Sequence, residues 1–228
     1  MDHSISHRLM LHPPQAVLFD CDGVLVDSEP ALAEIAALAL QDYGAPAKPD
    51  DFKPYIGTGE DTYLGRVAEQ YGLTYSDAIK LHVYEKYGEQ AERLVQPFPG
   101  VRDLLRQLQL SGLRLAVASS ADWIKVETNL RALDMPEGTF DAIITGSDIQ
   151  RKKPFPDIYL LAAERTRSEP ARCIVVEDAV SGVAAGKSAG MTVIGFTSAH
   201  TAEELLAAGA DIIVDEIGEI EALLRLHG

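Results

Sequence analysis

Basic side chains are scarce: 20 Lys and Arg stand against 35 Asp and Glu, a formal net charge of −15. Nucleic acid and anionic membrane both demand a basic face, so neither is an expected partner. Cysteine is equally sparse. Cys21 and Cys173 are the only two; they fall at or within apolar runs and match no metal-finger spacing, so both read as reduced thiols of a cytosolic protein. No apolar run approaches a membrane span. The first fifteen residues, MDHSISHRLMLHPPQ, lack the apolar centre of a secretory leader, and a cytoplasmic location is expected. There is no internal repeat and no low-complexity segment.

What remains is a chain of 228 residues with a 46% hydrophobic fraction, enough for one substantial core or a core with a smaller partner. Apolar strands are expected over residues 17–19, 113–118, 142–144, 173–176, 192–196 and 211–214. Amphipathic helical stretches alternate with them from Gly100 onward, over 101–110, 122–133, 157–165, 181–189, 202–208 and 218–226, with Gly112, Gly190 and Gly209 near helix ends. Right-handed crossovers turn this alternation into an α/β fold, a doubly wound, Rossmann-like parallel sheet whose ligands lie at the strands' carboxyl ends.

Residues 28–95 break the alternation with helical pattern alone. They read as an inserted all-helical cap of roughly four helices, returning through a stiff, proline-rich linker at Gln96–Gly100. The expected organisation is therefore a tail at 1–13, a core from 14–27 and 97–228, and a cap at 28–96 poised as a lid.

Polar clusters mark four expected strand ends. Asp20 and Asp22 follow VLF with period-two spacing, so their side chains are expected in one site. Ser119 and Ser120 follow LRLAVA, Lys153 follows DAIITGSDIQRK, and Glu177 and Asp178 follow CIVV. Taken singly each has a plainer reading: Asp22-Gly23 as a hairpin, Ser-Ser as a helix cap, Glu177-Asp178 as a solvated helix start. Cys21 reads as a small buried residue, with redox control the weaker alternative.

In order and spacing, FDCDGVLVDSE, VASS, KKPFPD and VVEDAVSGVAAGKSAGM resemble the haloacid dehalogenase superfamily, specifically the helical-cap subgroup of beta-phosphoglucomutase and of phosphoglycolate and sugar-phosphate phosphatases. The resemblance covers nearly the whole chain. It implies Asp20 as a nucleophile forming an aspartyl-phosphate, Asp22 as general acid and base, and Ser119 and Ser120 as phosphoryl donors. It makes Lys153 the neutralising cation. It implies Mg2+ held by Asp20, Asp178 and the backbone carbonyl of Asp22, with Glu177 a ligand or a holder of bound water. A small phosphorylated metabolite would be the partner, for a monomer or homodimer. Lys152 departs from the family's glycine at its position, and both Arg151 and Lys152 read as merely solvated.

Asp22 argues against dehalogenation, since a halide leaving group needs no proton. Three further departures favour hydrolysis of a monophosphate over phosphomutase chemistry. Leu32 stands where the mutase has a cap-hinge histidine, Glu60 where it has an arginine, and Asp122 where it has a lysine. The cap holds 12 acidic and 6 basic residues, which also disfavours a second phosphate. Gly57, Thr58, Gly59, Glu60 and Asp61 occupy the expected substrate loop, with Tyr55 before it and Arg66 after it. A non-catalytic phospho-ligand-binding or interaction module is the remaining alternative.

Overall fold

The computed structural model describes residues 13–56 and 59–225; residues 1–12 of the expected tail lie outside them. Ala16–Phe19 is fully buried, as befits a strand covered on both faces, and forms β1. A two-residue β2, Val26–Asp27, opens the insertion. It comprises α1 (Glu29–Asp42), a 3-10 helix (Pro49–Tyr55), α2 (Glu60–Gln70) and α3 (Asp77–Leu94), and ends in β3 (Gln96–Pro97). Strands and helices then alternate: α4 (Val101–Leu110), β4 (Arg114–Ala118), α5 (Trp123–Leu133), β5 (Ala142–Ile144), α6 (Asp157–Arg165), β6 (Cys173–Glu177), α7 (Val180–Ser188), β7 (Thr192–Phe196), α8 (Ala202–Ala207), β8 (Ile212–Val214) and α9 (Glu219–Arg225).

Six strands make one parallel sheet in the order β5-β4-β1-β6-β7-β8. The chain winds outward in both directions from β1, and ligands of such sheets bind at that reversal. Phe19 is in register with Val117 of β4 and Val176 of β6, so the residue after it emerges between two other strand ends. Period-two alternation splits β1 between two apolar clusters. Val17 and Phe19 join Leu104, Leu105 and Val126 on one face, while Ala16 and Leu18 join Ile158, Tyr159 and Val183 on the other.

The first cluster continues into the insertion through Leu32, Ile35, Leu64, Val83 and Tyr87. The inserted helices are thus seated on the core by shared apolar burial, the main stabilising term of the contact. Tyr87 adds a buried hydrogen bond from its hydroxyl to Asn129 Oδ1 at 2.6 Å, joining α3 to α5. The insertion departs from four helices of one kind, because Pro49 and Pro54 remove backbone donors and the segment between them winds as a 3-10 helix. The return is also more than a linker: Gln96 and Pro97 pair antiparallel with Asp27 and Val26, tying the two crossing segments together. No described helix is long and apolar enough to cross a membrane.

Candidate active site

Asp20 stands immediately beyond β1, its amide donating to Val176 O at 3.0 Å. Its Oδ1 lies 2.6 Å from Lys153 Nζ, which also donates to Glu177 Oε1 at 2.6 Å and to Ala118 O at 3.0 Å. Lys153 thus touches the ends of β1, β4 and β6. Tyr159 OH donates to Glu177 Oε1 at 2.7 Å, and the amides of Asp178 and Ala179 donate to Oε2 at 3.1 Å each. Both Glu177 oxygens are therefore engaged, which casts it as a positioner of Lys153 and leaves Asp20 and Asp178 as the freer carboxylates.

Oxygens of Asp20, Glu177 and Asp178 lie within 4.8 Å of one another, all three residues being buried. Burial lifts the Asp20 carboxyl to about 7, with Glu177 and Asp22 adding to the rise against the opposing Lys153 charge. Burial, then Glu177 and Asp20, likewise hold Asp178 well above the ordinary carboxylate value. Burial alone would push Lys153 down, but Asp20 and Glu177 outweigh it and keep its ammonium charged. Three carboxylates around one ammonium form a hard-oxygen set with charge to spare, which fits a divalent cation such as Mg2+.

Two glycines make this group possible. Gly23 turns the chain with φ +78, and a Cβ there would lie 2.0 Å from Asp178 Oδ2. Gly182 on α7 passes so close to Glu177 that a Cβ would fall 1.7 Å from its Oε1. Neither site admits a side chain without displacing an acidic member of the group.

Asp22 is held apart from this group. Its Oδ1 receives Asn129 Nδ2 at 2.9 Å, lies 3.0 Å from Lys125 Nζ, and accepts a short hydrogen bond from Ser28 Oγ. Burial would raise its carboxyl, but Lys125, Ser28 and Asn129 outweigh burial and hold it below the usual value. The two carboxylates therefore sit in different hydrogen-bond sets, near enough that Asp22 still adds to the rise of the Asp20 carboxyl. Asp20 faces Lys153 and the acidic group, whereas Asp22 faces α5, because the chain turns at once into the Gly23 bend. Only the backbone carbonyl of Asp22 remains as its expected metal ligand.

Ser119 is buried, with Oγ accepting from the Ala121 amide at 3.2 Å. Ser120 Oγ is buried without a hydrogen-bond partner among the described residues, whereas the phosphoryl donors expected here are the Ser119 hydroxyl and the Ser120 amide. Cys21 is wholly buried, and burial pushes its thiol well up, which disfavours the reactive thiolate. Arg151 is not merely solvated: it forms a two-pronged pair with Asp157 at 3.0 and 2.9 Å and lies over the Phe155 ring.

Of the expected substrate loop, Gly57 and Thr58 lie outside the described residues. Gly59 precedes α2 with φ +88. Glu60 Oε1 lies 3.1 Å from Lys125, and its Oε2 accepts a short hydrogen bond from Tyr84 OH. Asp61 pairs with Lys80 at 3.2 Å and accepts from Tyr75 OH at 3.0 Å. Arg66 turns instead to Glu69 on its own helix. Leu32 is buried in the apolar cluster, and Asp122 pairs with Lys80 at 3.0 Å. Positive charge is therefore not absent from this cleft: it comes from Lys80 and Lys125, each already paired with carboxylates. Lys125, Asn129, Ser28, Tyr159 and Tyr87 escaped the sequence reading. A signal existed for two of them, since Lys125 and Asn129 lie four apart on the buried stripe of α5.

The model of haloacid dehalogenase-like hydrolases matches residues 17–196, and the chain belongs to that family. Within it the protein is a phosphatase, a hydrolase of phosphoric monoesters. It is 35% identical over 203 residues to the phosphorylated carbohydrates phosphatase of Thermotoga maritima, covering 88% of this chain and 94% of that protein. It is 39% identical over 213 residues to the chloroplastic Protein SUPPRESSOR OF QUENCHING 1 of Arabidopsis thaliana, covering 90% of this chain but only 20% of that protein. Among solved structures, CbbY from Rhodobacter sphaeroides, in complex with xylulose-(1,5)bisphosphate, superposes with a TM-score of 0.79. The identity is 29%, over 90% of this chain and 96% of that one.

Proposed function

We propose that the protein hydrolyses a small phosphate monoester, a sugar phosphate or similar metabolite, with Mg2+ and through an aspartyl-phosphate on Asp20. The observation that carries this reading is Lys153, 2.6 Å from both Asp20 and Glu177 at the meeting of three strand ends. The Asp20 carboxylate attacks phosphorus as the ester P–O bond breaks, and Asp22, ionised at rest beside Lys125, takes up a proton from solvent and passes it to the leaving alkoxide. Water then attacks the same phosphorus while Asp22 takes back a proton, which frees Asp20 and inorganic phosphate. Lys153 offsets charge on the nucleophile and the phosphoryl group, and Ser119 and Ser120 donate to phosphoryl oxygens. When bound by Asp20, Asp178 and the Asp22 carbonyl, Mg2+ supplies Lewis-acid charge to the phosphoryl group.

A sugar phosphate is supported by the name of the Thermotoga relative. Hydrolysis is favoured over isomerisation because Leu32, Glu60 and Asp122 give no free cation for a second phosphate. The two buried free cysteines fit a reducing compartment. Magnesium-dependent release of p-nitrophenol from its phosphate ester, absent in Asp20→Asn, tests the hydrolysis. Robust isomerisation of beta-glucose 1-phosphate with a bisphosphate primer would replace it with mutase chemistry.

A further inference from the structure

A side-chain amide has opposite chemistry at its two ends, a carbonyl oxygen that accepts and an NH2 that donates, so its neighbours decide which way it faces. Asn129 is wholly buried between two such neighbours. Tyr87 OH donates to its Oδ1 at 2.6 Å, and its Nδ2 donates to Asp22 Oδ1 at 2.9 Å. One orientation satisfies both, whereas the reversed amide would set its oxygen against a carboxylate. Tyr87, also wholly buried, stands on α3 of the insertion, and Asn129 on α5 of the core. Apolar packing alone would hold these two helices together. The polar chain buried within their contact adds direction to that packing, and it ends on a carboxylate of the site.

Resting on the phosphatase reading above, we infer that Tyr87 and Asn129 are positioning residues for proton transfer by Asp22, pinning one carboxylate oxygen so that the other keeps a fixed direction towards the leaving group. Asn129, Lys125 and Ser28 all engage Asp22 Oδ1, and nothing among the described residues takes its Oδ2. The last torsion of an aspartate is otherwise broad, so a carboxylate free at both oxygens would swing. Oδ2 is thus the oxygen that carries the proton. It passes that proton to the leaving oxygen as the ester P–O bond breaks, and the carboxylate is restored. A general acid works only from a well-placed position, which gives the orientation of a buried amide a catalytic consequence. Tyr87 acts through Asn129, since its hydroxyl fixes which end of the amide meets Asp22.

The assignment is tested by kcat/KM for p-nitrophenyl phosphate and for phenyl phosphate with Mg2+, because phenolate leaves as the stronger base and needs the proton more. This constant reads the path up to the first phosphoryl transfer, so the later work of Asp22 on water does not enter it. Asn129→Leu should raise the ratio of the p-nitrophenyl to the phenyl value at least about tenfold, part of the about 10²–10⁴-fold that a positioned acid contributes. Tyr87→Phe should raise it several-fold. Asp22→Asn should raise it too, and adding Asn129→Leu to Asp22→Asn should move it no further, since residues that act as a unit are not additive. If Asn129→Leu does not fold, Tyr87→Phe, which removes a single hydroxyl, carries the test in the same two backgrounds. Equal losses on both esters, a further shift in the Asp22→Asn background, or a wild-type ratio already as high as that of Asp22→Asn would overturn the inference alone. A wild type without magnesium-dependent hydrolysis of p-nitrophenyl phosphate would overturn the phosphatase reading and this inference with it.

Discussion

At the phosphoryl end of the site, Lys153 and Glu177 are fully committed: one ammonium reaches Asp20, Glu177 and a strand-end carbonyl, and Glu177 spends both oxygens on four donors. At the cap end, Glu29 Oε2 and Tyr63 OH are buried without a hydrogen-bond partner among the described residues, and Glu60 Oε1 has its ion pair to Lys125. In the first arrangement Lys153 and Glu177 are held by the protein alone, which suits electrostatic stabilisation of one fixed reaction, while Asp20 and Asp178 keep the spare charge that a divalent cation would offset. The second leaves buried polar atoms unpaired. Ser120 Oγ is the exception at the phosphoryl end, buried without a hydrogen-bond partner among the described residues.

The largest effect that sharpens this contrast is loss of the nucleophile. Asp20→Asn should lower kcat by at least about 10⁴-fold while the protein stays folded, as loss of a covalent nucleophile does elsewhere. Next comes Lys153→Met, which strands buried carboxylates. It should cost about 3–5 kcal/mol in the metal-free protein, read by denaturant unfolding, and about 10²–10³-fold in kcat.

Metal binding should come third. Mg2+ at 100 times its dissociation constant should add about 2.7 kcal/mol, or about 5–10 °C in Tm by calorimetry. The pH dependence follows from the raised carboxyls of Asp20 and Asp178. The folded metal-free protein holds protons that the unfolded chain releases near the ordinary carboxylate value. Stability from this group is therefore present at low pH and lost as pH rises through the folded Asp20 value of about 7. At one fixed Mg2+ concentration the gain in Tm should accordingly be larger at pH 8 than at pH 5; an equal gain at both would contradict an overcharged carboxylate group.

Gly182→Ala should follow, costing about 1–3 kcal/mol by overpacking. Because the new Cβ meets Glu177 rather than an apolar neighbour, kcat should fall with it. The smallest effect belongs to Lys80→Met, which breaks a partly exposed pair between cap and core. It should cost no more than about 1 kcal/mol and leave hydrolysis of p-nitrophenyl phosphate near the wild-type rate.

The two ends also differed in how far the sequence disclosed them. Asp20, Ser119, Lys153 and Asp178 each follow an apolar run, so their placement rests on local pattern plus one topological rule. The six-stranded parallel sheet was readable on the same grounds. The cap end depends on pairs that no local pattern announces: Glu60 with Lys125, Asp122 with Lys80, Asp22 with Asn129. Ser28 illustrates the difficulty, for it stands at the N-cap of α1 yet gives its hydroxyl to Asp22 instead of the helix. Similarly, Glu60 and Asp122 showed that two cationic positions had reversed sign, but only the fold supplied the lysines that answer them.

The central claim is that Asp20 is the atom-bearing nucleophile of a phosphatase. It is tested most directly by acid-quenching the enzyme during turnover of a phosphate monoester with Mg2+ and mapping the peptides by mass spectrometry. The account predicts one added phosphoryl group on the peptide carrying Asp20, absent in Asp20→Asn. Robust turnover with that peptide unmodified, or undiminished hydrolysis by Asp20→Asn, would contradict it.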